Sequence, residues 1–133
     1  MATIKSFSDL QQSKKLAEIL PLESADMWYQ YTGISIKDGS EKPIYFPMVI
    51  RDDESDEDIP CWSLAALLEQ LPYEVVDDDG GSMYLEINKD DDMYQLTYSD
   101  RYGDYDSIET NPSENFVDAC VEMITKLHEL NLL

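Results

Sequence analysis

"NPSENFVDACVEMITKLHELNLL", residues 111–133, is the stretch that decides the fold. Its apolar residues recur every three or four positions, which is the spacing of one face of an α-helix. Asn111, Pro112 and Glu114 form a start that resembles a capping box. The sequence therefore predicts a C-terminal helix of about four turns, whose apolar face consists of Phe116, Cys120, Met123, Ile124, Leu127 and Leu130.

The chain before this helix predicts strands. "SMYLEIN" (82–88) and "MYQLTYS" (93–99) alternate apolar and polar residues and flank a connection at residues 89–92, which is typical of a β-hairpin. Further strands are predicted at residues 27–37, 44–50, 73–76 and around 104–108. Pro47 has no amide proton to donate, so its strand should lie at an edge or be interrupted there.

Two more helices are indicated by caps and breakers. In residues 8–21, Ser8 is the expected N-cap with Gln11 as its reciprocal partner, and Pro21 ends the helix. In residues 63–72, Ser63 is the expected cap, and Trp62 with Leu67 occupies the positions of a hydrophobic staple. The expected fold is a single α+β domain over residues 1–133. It has an antiparallel sheet of about four to five strands packed against the long C-terminal helix, with a short middle helix and an N-terminal helix.

Charge narrows the range of functions. The chain has 29 Asp and Glu against 9 Lys and Arg, a formal net charge of -20. Such a field repels phosphate backbones and anionic membranes, so neither nucleic acid nor membrane is an expected partner. Two cysteines, Cys61 and Cys120, are too few for a disulfide framework, and no apolar run has the length of a signal peptide or a membrane span. These features predict a cytoplasmic protein.

No catalytic, cofactor or metal residue is predicted. The aspartate-rich stretches lack the spacing of an EF-hand, and residues 52–58 and 100–106 are better explained as solvated turns than as irregular calcium sites. Cys61 and Ser63 have no base within local reach, because the single histidine, His128, lies in the last helix at the margin of its apolar face. A pair such as Glu74 and Glu86 has little diagnostic weight among 29 acids.

One region suggests an interaction surface for a basic partner. Tyrosines and aspartates crowd together near the end of the second hairpin strand, a composition found at binding surfaces. The plainer interpretation is that the tyrosines cover a sheet face. The candidate surface comprises Tyr94, Tyr98, Asp100, Tyr102, Asp104, Tyr105 and Asp106.

Three blocks, "LPLESADMWY", "IPCWSLAALLEQLP" and "NPSENFVDACVEMITKLHELNLL", together resemble a family of small uncharacterised proteins from gut Bacteroidales genomes, their phages and other mobile elements. The resemblance runs from about residue 17 to the C-terminus. It implies a cytoplasmic accessory gene product and transfers no ligand or catalytic residue. The same residue pattern independently predicts a capping or core role for every position that recurs in the resemblance. These positions are Trp62, Ser63, Leu64, Leu67, Leu68, Met123 and Leu127.

The favoured function is a non-enzymatic, acidic accessory module that binds an unidentified protein partner, as a monomer or a weak homodimer. Two alternatives stay open. A compact body of this charge could act as a DNA mimic that inhibits a restriction or nuclease system. An enzyme using carboxylates alone, or carboxylates with a divalent ion, is the other.

Overall fold

The computed structural model describes residues 4–50, 54–100 and 107–133 of the chain. The helices are α1 (Leu10–Leu16), α2 (Leu64–Gln70) and α3 (Phe116–Glu129), with a 3₁₀ turn at Leu22–Ser24. The strands are β1 (Met27–Lys37), β2 (Ser40–Met48), β3 (Ile59–Cys61), β4 (Glu74–Val76), β5 (Ser82–Asp90), β6 (Met93–Ser99) and β7 (Ile108–Glu109). The predicted α+β class is confirmed, and the strands form two antiparallel sheets, β2-β1-β3 and β4-β5-β6-β7.

The larger sheet and α3 form the main core. Leu96 and Tyr98 of β6 are wholly buried in the same cluster as Met123, Ile124 and Leu127 of the helix. This confirms the centre of the predicted apolar face, whereas Leu130 at its end is exposed. The β5–β6 connection is shorter than predicted. The strands run on to residues 90 and 93, leaving two turn residues, of which Asp91 has a φ of 52°.

Two predicted helix starts are wrong. The cap of α1 is Asp9, whose side chain accepts from the Gln12 amide at 2.8 Å while the Gln12 side chain accepts from the Asp9 amide at 3.0 Å. Ser8 is instead buried, and its amide donates to the Trp62 carbonyl at 2.8 Å. The two partners in the capping box therefore lie one residue later than expected.

The start of α3 lies four residues later than the predicted cap. Asn115, not Asn111, precedes its first residue. The reason is that Ser113 pairs with β6: the Tyr94 amide donates to the Ser113 carbonyl at 2.7 Å, and the Ser113 amide donates back at 2.9 Å. Ser113 is thus still bonded to the sheet, and the helix begins only after it.

The smaller sheet is held by its own apolar cluster. Met27, Tyr29 and Cys61 are buried, with Phe7 and Leu10 packed against them from the N-terminal segment. Trp62 follows β3 directly and belongs to the main core, and Ser63 caps α2 as predicted, accepting from the Ala66 amide at 3.2 Å. The predicted edge position of Pro47 is confirmed, because β2 is an outer strand.

Because its thiols are buried, the protein should lose stability as the pH becomes alkaline. Cys61 and Cys120 are both free and buried, and burial raises the pKa of Cys120 from 9.0 to about 12. An unfolded chain therefore loses this proton near pH 9 while the folded chain keeps it, so stability falls as pH rises between those values. The contribution is about 1.4 kcal/mol per pH unit.

Cys120→Ala should flatten that dependence. In urea unfolding with a reductant at about pH 9 and about pH 11, the variant should lose less stability across the interval than the parent. Only the slope is compared, because removing a buried side chain lowers stability at every pH. Burial also raises the pKa of Tyr29 to about 12, so a residual slope is expected. Parallel profiles for parent and variant would contradict the assignment.

Candidate interaction surface

The β1–β2 hairpin projects beyond the rest of its sheet. β3 pairs with β1 only from Met27 to Tyr29, whereas β2 pairs with β1 as far as Lys37. Residues 31–45 therefore form a two-stranded ribbon, and an isolated ribbon of this kind is marginally stable in water.

A β-bulge determines which side chains share a face of the ribbon. Tyr31 lies opposite Tyr45, and the next pair is Gly33 with Ile44, so Thr32 is an extra residue in β1. Gly33 has a φ of 138°, a conformation that favours glycine. Because one inserted residue reverses the alternation, Ile34 and Ile36 join the face that carries Tyr29 and Tyr31.

The result is one continuous apolar strip, which we call the ribbon face. Its inner end meets the buried cluster at Tyr29, and its rings at Tyr31 and Tyr45 touch edge to face at 5.8 Å. Its outer end is open to solvent, with Ile34 56% exposed and Ile36 76% exposed. The ribbon face consists of Tyr31, Ile34, Ile36, Pro43 and Tyr45.

Carboxylates lie beside this apolar strip. Glu41 and Glu57 line a shallow depression of about 380 Å³ together with side chains of the ribbon face. Glu57 comes from the acidic loop that precedes β3, and Glu41 lies opposite Ile36. The ribbon face thus combines an aromatic and aliphatic floor with acidic margins.

The acidic loop was predicted to be solvated, but one of its carboxylates is buried. Residues 52 and 53 lie outside the described part of the chain, and Glu54, Asp56 and Glu57 are exposed. Asp58, however, is only 8% exposed, and it accepts hydrogen bonds from the amides of Tyr31 at 2.9 Å and Ser55 at 3.2 Å. The prediction is wrong for Asp58 because this carboxylate accepts from the backbone amide of Tyr31, just beyond the part of β1 that pairs with β3.

The tyrosine–aspartate surface predicted from sequence is not exposed at its centre. Tyr98 is wholly buried and its hydroxyl donates to the Pro72 carbonyl at 2.6 Å, so its inclusion was wrong. The physical reason is strand alternation, which places Tyr98 on the same inward face as Leu96. Asp100 is half-buried, and Tyr102, Asp104, Tyr105 and Asp106 lie outside the described residues.

Tyr94 lies elsewhere, in a cleft between the β5–β6 turn and the start of α3. Its ring stacks on Phe116 with centroids 4.8 Å apart, and the Lys89 ammonium lies 5.4 Å from the ring centre. The cleft has a volume of about 430 Å³ and is also lined by Asp92 and Glu114. Tyr94 therefore fastens the sheet to the helix as well as lining a cleft of mixed charge.

The Cys-Trp-Ser group forms the entrance to α2. The Ser63 hydroxyl donates to Asp26 at 2.5 Å, and its amide donates to the same carboxylate at 2.9 Å. Cys61 is wholly buried, and burial raises the pKa of its thiol. His128 is exposed on α3.

Acidic side chains also occupy the outer face of the larger sheet. Alternation from the inward Met83 and Leu96 places Glu74, Glu86, Asp90 and Glu109 on the opposite, outer side. Within the ranges that the structure describes, no group of three or more His, Cys, Asp or Glu side chains is arranged to hold a metal ion. The DNA-mimic and carboxylate-enzyme hypotheses stay predictions.

Comparison with known proteins yields no assignment: no protein family, no curated protein and no solved structure matches the chain. None of the helices in the described residues is long and apolar enough to cross a membrane.

Proposed function

We propose that this protein is a non-enzymatic accessory module that binds a protein partner through the ribbon face. The observation that supports this most strongly is the bulge at Thr32. It aligns Ile34 and Ile36 with Tyr31 and Tyr45, forming an apolar strip at the outer end of the hairpin.

Energetics favour this role over a purely structural one. Full burial of an isoleucine side chain contributes roughly 1.5–3 kcal/mol to stability, and an exposed isoleucine does not gain this energy. A folding role would require a cover, but within the described ranges β3 stops opposite Tyr29 and Ile34 and Ile36 are left exposed. Exposed aliphatic and aromatic groups with a charged margin are the usual composition of a binding centre and its rim.

The biological setting follows from the sequence resemblance. Membership of a Bacteroidales, phage or mobile-element family would make the protein a cytoplasmic accessory factor, and its partner would be a protein of the same host. The net charge of -20 would favour a basic partner and accelerate association at low ionic strength.

Site-specific photo-crosslinking tests the proposal. Benzoylphenylalanine placed at position 34, in the host that carries the gene, should form a discrete covalent adduct with another protein on irradiation. Position 87 is the matched control, because Ile87 is 45% exposed but lies on the other sheet. An adduct of the same size and yield from both positions, or none from position 34, would contradict the proposal.

A further inference from the structure

We infer that the partner binds as an added β-strand along the edge of β1 at residues 33–37, and that the side chains which this segment turns towards the ribbon face include both apolar residues and Lys or Arg. The inference rests on the proposed function of the ribbon face and adds the binding mode and the chemistry of the partner.

The two edges of the ribbon differ. β2 carries Pro43 and Pro47, which have no amide proton, so its outer edge is poorly suited to accept another strand. β1 has no proline, and after Tyr29 it has a strand neighbour on one side only within the described residues. The open edge at residues 33–37 is about 17 Å long, enough for five added residues.

The added strand would continue the line of β3. The first residue of β3, Ile59, lies opposite Tyr29. The next amide of β1 that points to this edge is that of Tyr31, and it donates to Asp58. The partner would begin where this carboxylate stops the native pairing. Its main chain would supply the affinity, and every second side chain would lie over the ribbon face, as in other cases of strand addition.

Charge determines what the alternate residues should be. The depression beside the open edge is bordered by Glu57 and Glu41, while its floor includes Tyr31, Ile34 and Pro43. Apolar side chains fit the floor, and a Lys or Arg two positions along the added strand, and therefore on the same face, would meet the carboxylates. A second copy of this chain is a poor occupant, because it would bring the same carboxylates and another net charge of -20.

The test uses the purified protein and a fluorescein-labelled peptide of about ten residues, in which every second residue is alternately valine or lysine and the residues between them are threonine. Two further peptides carry backbone N-methyl groups, one on every threonine and the other on every valine and lysine. Each removes the amide donors from one edge of the extended peptide and keeps its charge. Fluorescence anisotropy at about 0.15 M salt measures binding of all three.

Strand addition predicts that one methylated peptide binds like the parent and the other at least about tenfold more weakly. Ile34→Ser should also weaken binding of the parent peptide, whereas Ile87→Ser should not. Equal binding by the two methylated peptides, no binding by the parent peptide, or a dimer that excludes the peptide would overturn the inference. A crosslink from position 34 to a different protein would still support the proposed function.

Discussion

Replacing Trp62 by alanine should lower the free energy of unfolding by about 3–5 kcal/mol, the range observed for large aromatic residues in cores. The side chain is wholly buried in the main core, and its indole Nε1 donates to the Ser24 hydroxyl at 2.9 Å. Its backbone carbonyl accepts from Ser8. The loss is a large fraction of the stability of a typical domain.

Urea unfolding monitored by circular dichroism measures this effect, with Trp62→Phe as the control. The phenylalanine keeps an aromatic ring in the cavity but cannot donate to Ser24, so its loss should be clearly smaller than that of alanine. A loss below about 1 kcal/mol for Trp62→Ala would contradict the central position assigned to this side chain.

Replacing Asp58 by alanine should cost about 3 kcal/mol, because two backbone amides lose a charged acceptor. Those amides belong to Tyr31 in β1 and Ser55 in the acidic loop. The variant should also loosen the ribbon, since Asp58 connects it to the loop that precedes β3. Amide hydrogen exchange at Tyr31 should therefore become faster than in the parent.

Glu57→Ala is the matched control for Asp58. It removes the same charge from the neighbouring position, where the side chain is exposed, and should change stability by less than about 0.5 kcal/mol. Equal losses from the two variants would show that the effect comes from charge density in the loop and not from the hydrogen bonds of Asp58.

The repeating patterns of the sequence are sufficient to predict which residues of the last helix form the main core. The spacing of Cys120, Met123, Ile124 and Leu127 predicts their burial, because a helix repeats its face every three to four residues. Short caps were harder to place: Asp9 and Ser8 are both good N-caps, and a tertiary contact between Ser8 and Trp62 decides between them. No local pattern contains that contact.

The ribbon face had a signal in the sequence that was missed. Met27, Tyr29 and Tyr31 fall on odd positions and Ile34 and Ile36 on even ones, with Gly33 at the change of phase. A glycine where the alternation reverses indicates a bulge. That β3 would cover only three residues of β1 could not be predicted, since it depends on where Asp58 meets Tyr31 in space.

Tyr98 shows the opposite error. Alternation along β6 already placed it on the same face as Leu96, yet its neighbouring aspartates suggested a surface. The strand pattern was the better guide, because a residue two positions from a core residue shares its face. Composition alone does not separate buried tyrosines from exposed ones.

Deletion of Thr32 tests most directly the claim that the ribbon face binds the partner. Removing the bulge residue would restore regular alternation and turn Ile34 and Ile36 to the opposite face, without changing the charge of the protein. Thr32→Ser, which keeps the chain length and a hydroxyl to donate to the Ile44 carbonyl as Thr32 does, is the control. With the photo-crosslinker at position 34, we predict that the deletion abolishes the partner adduct and that Thr32→Ser retains it. An adduct that persists in undiminished yield after the deletion would contradict the account.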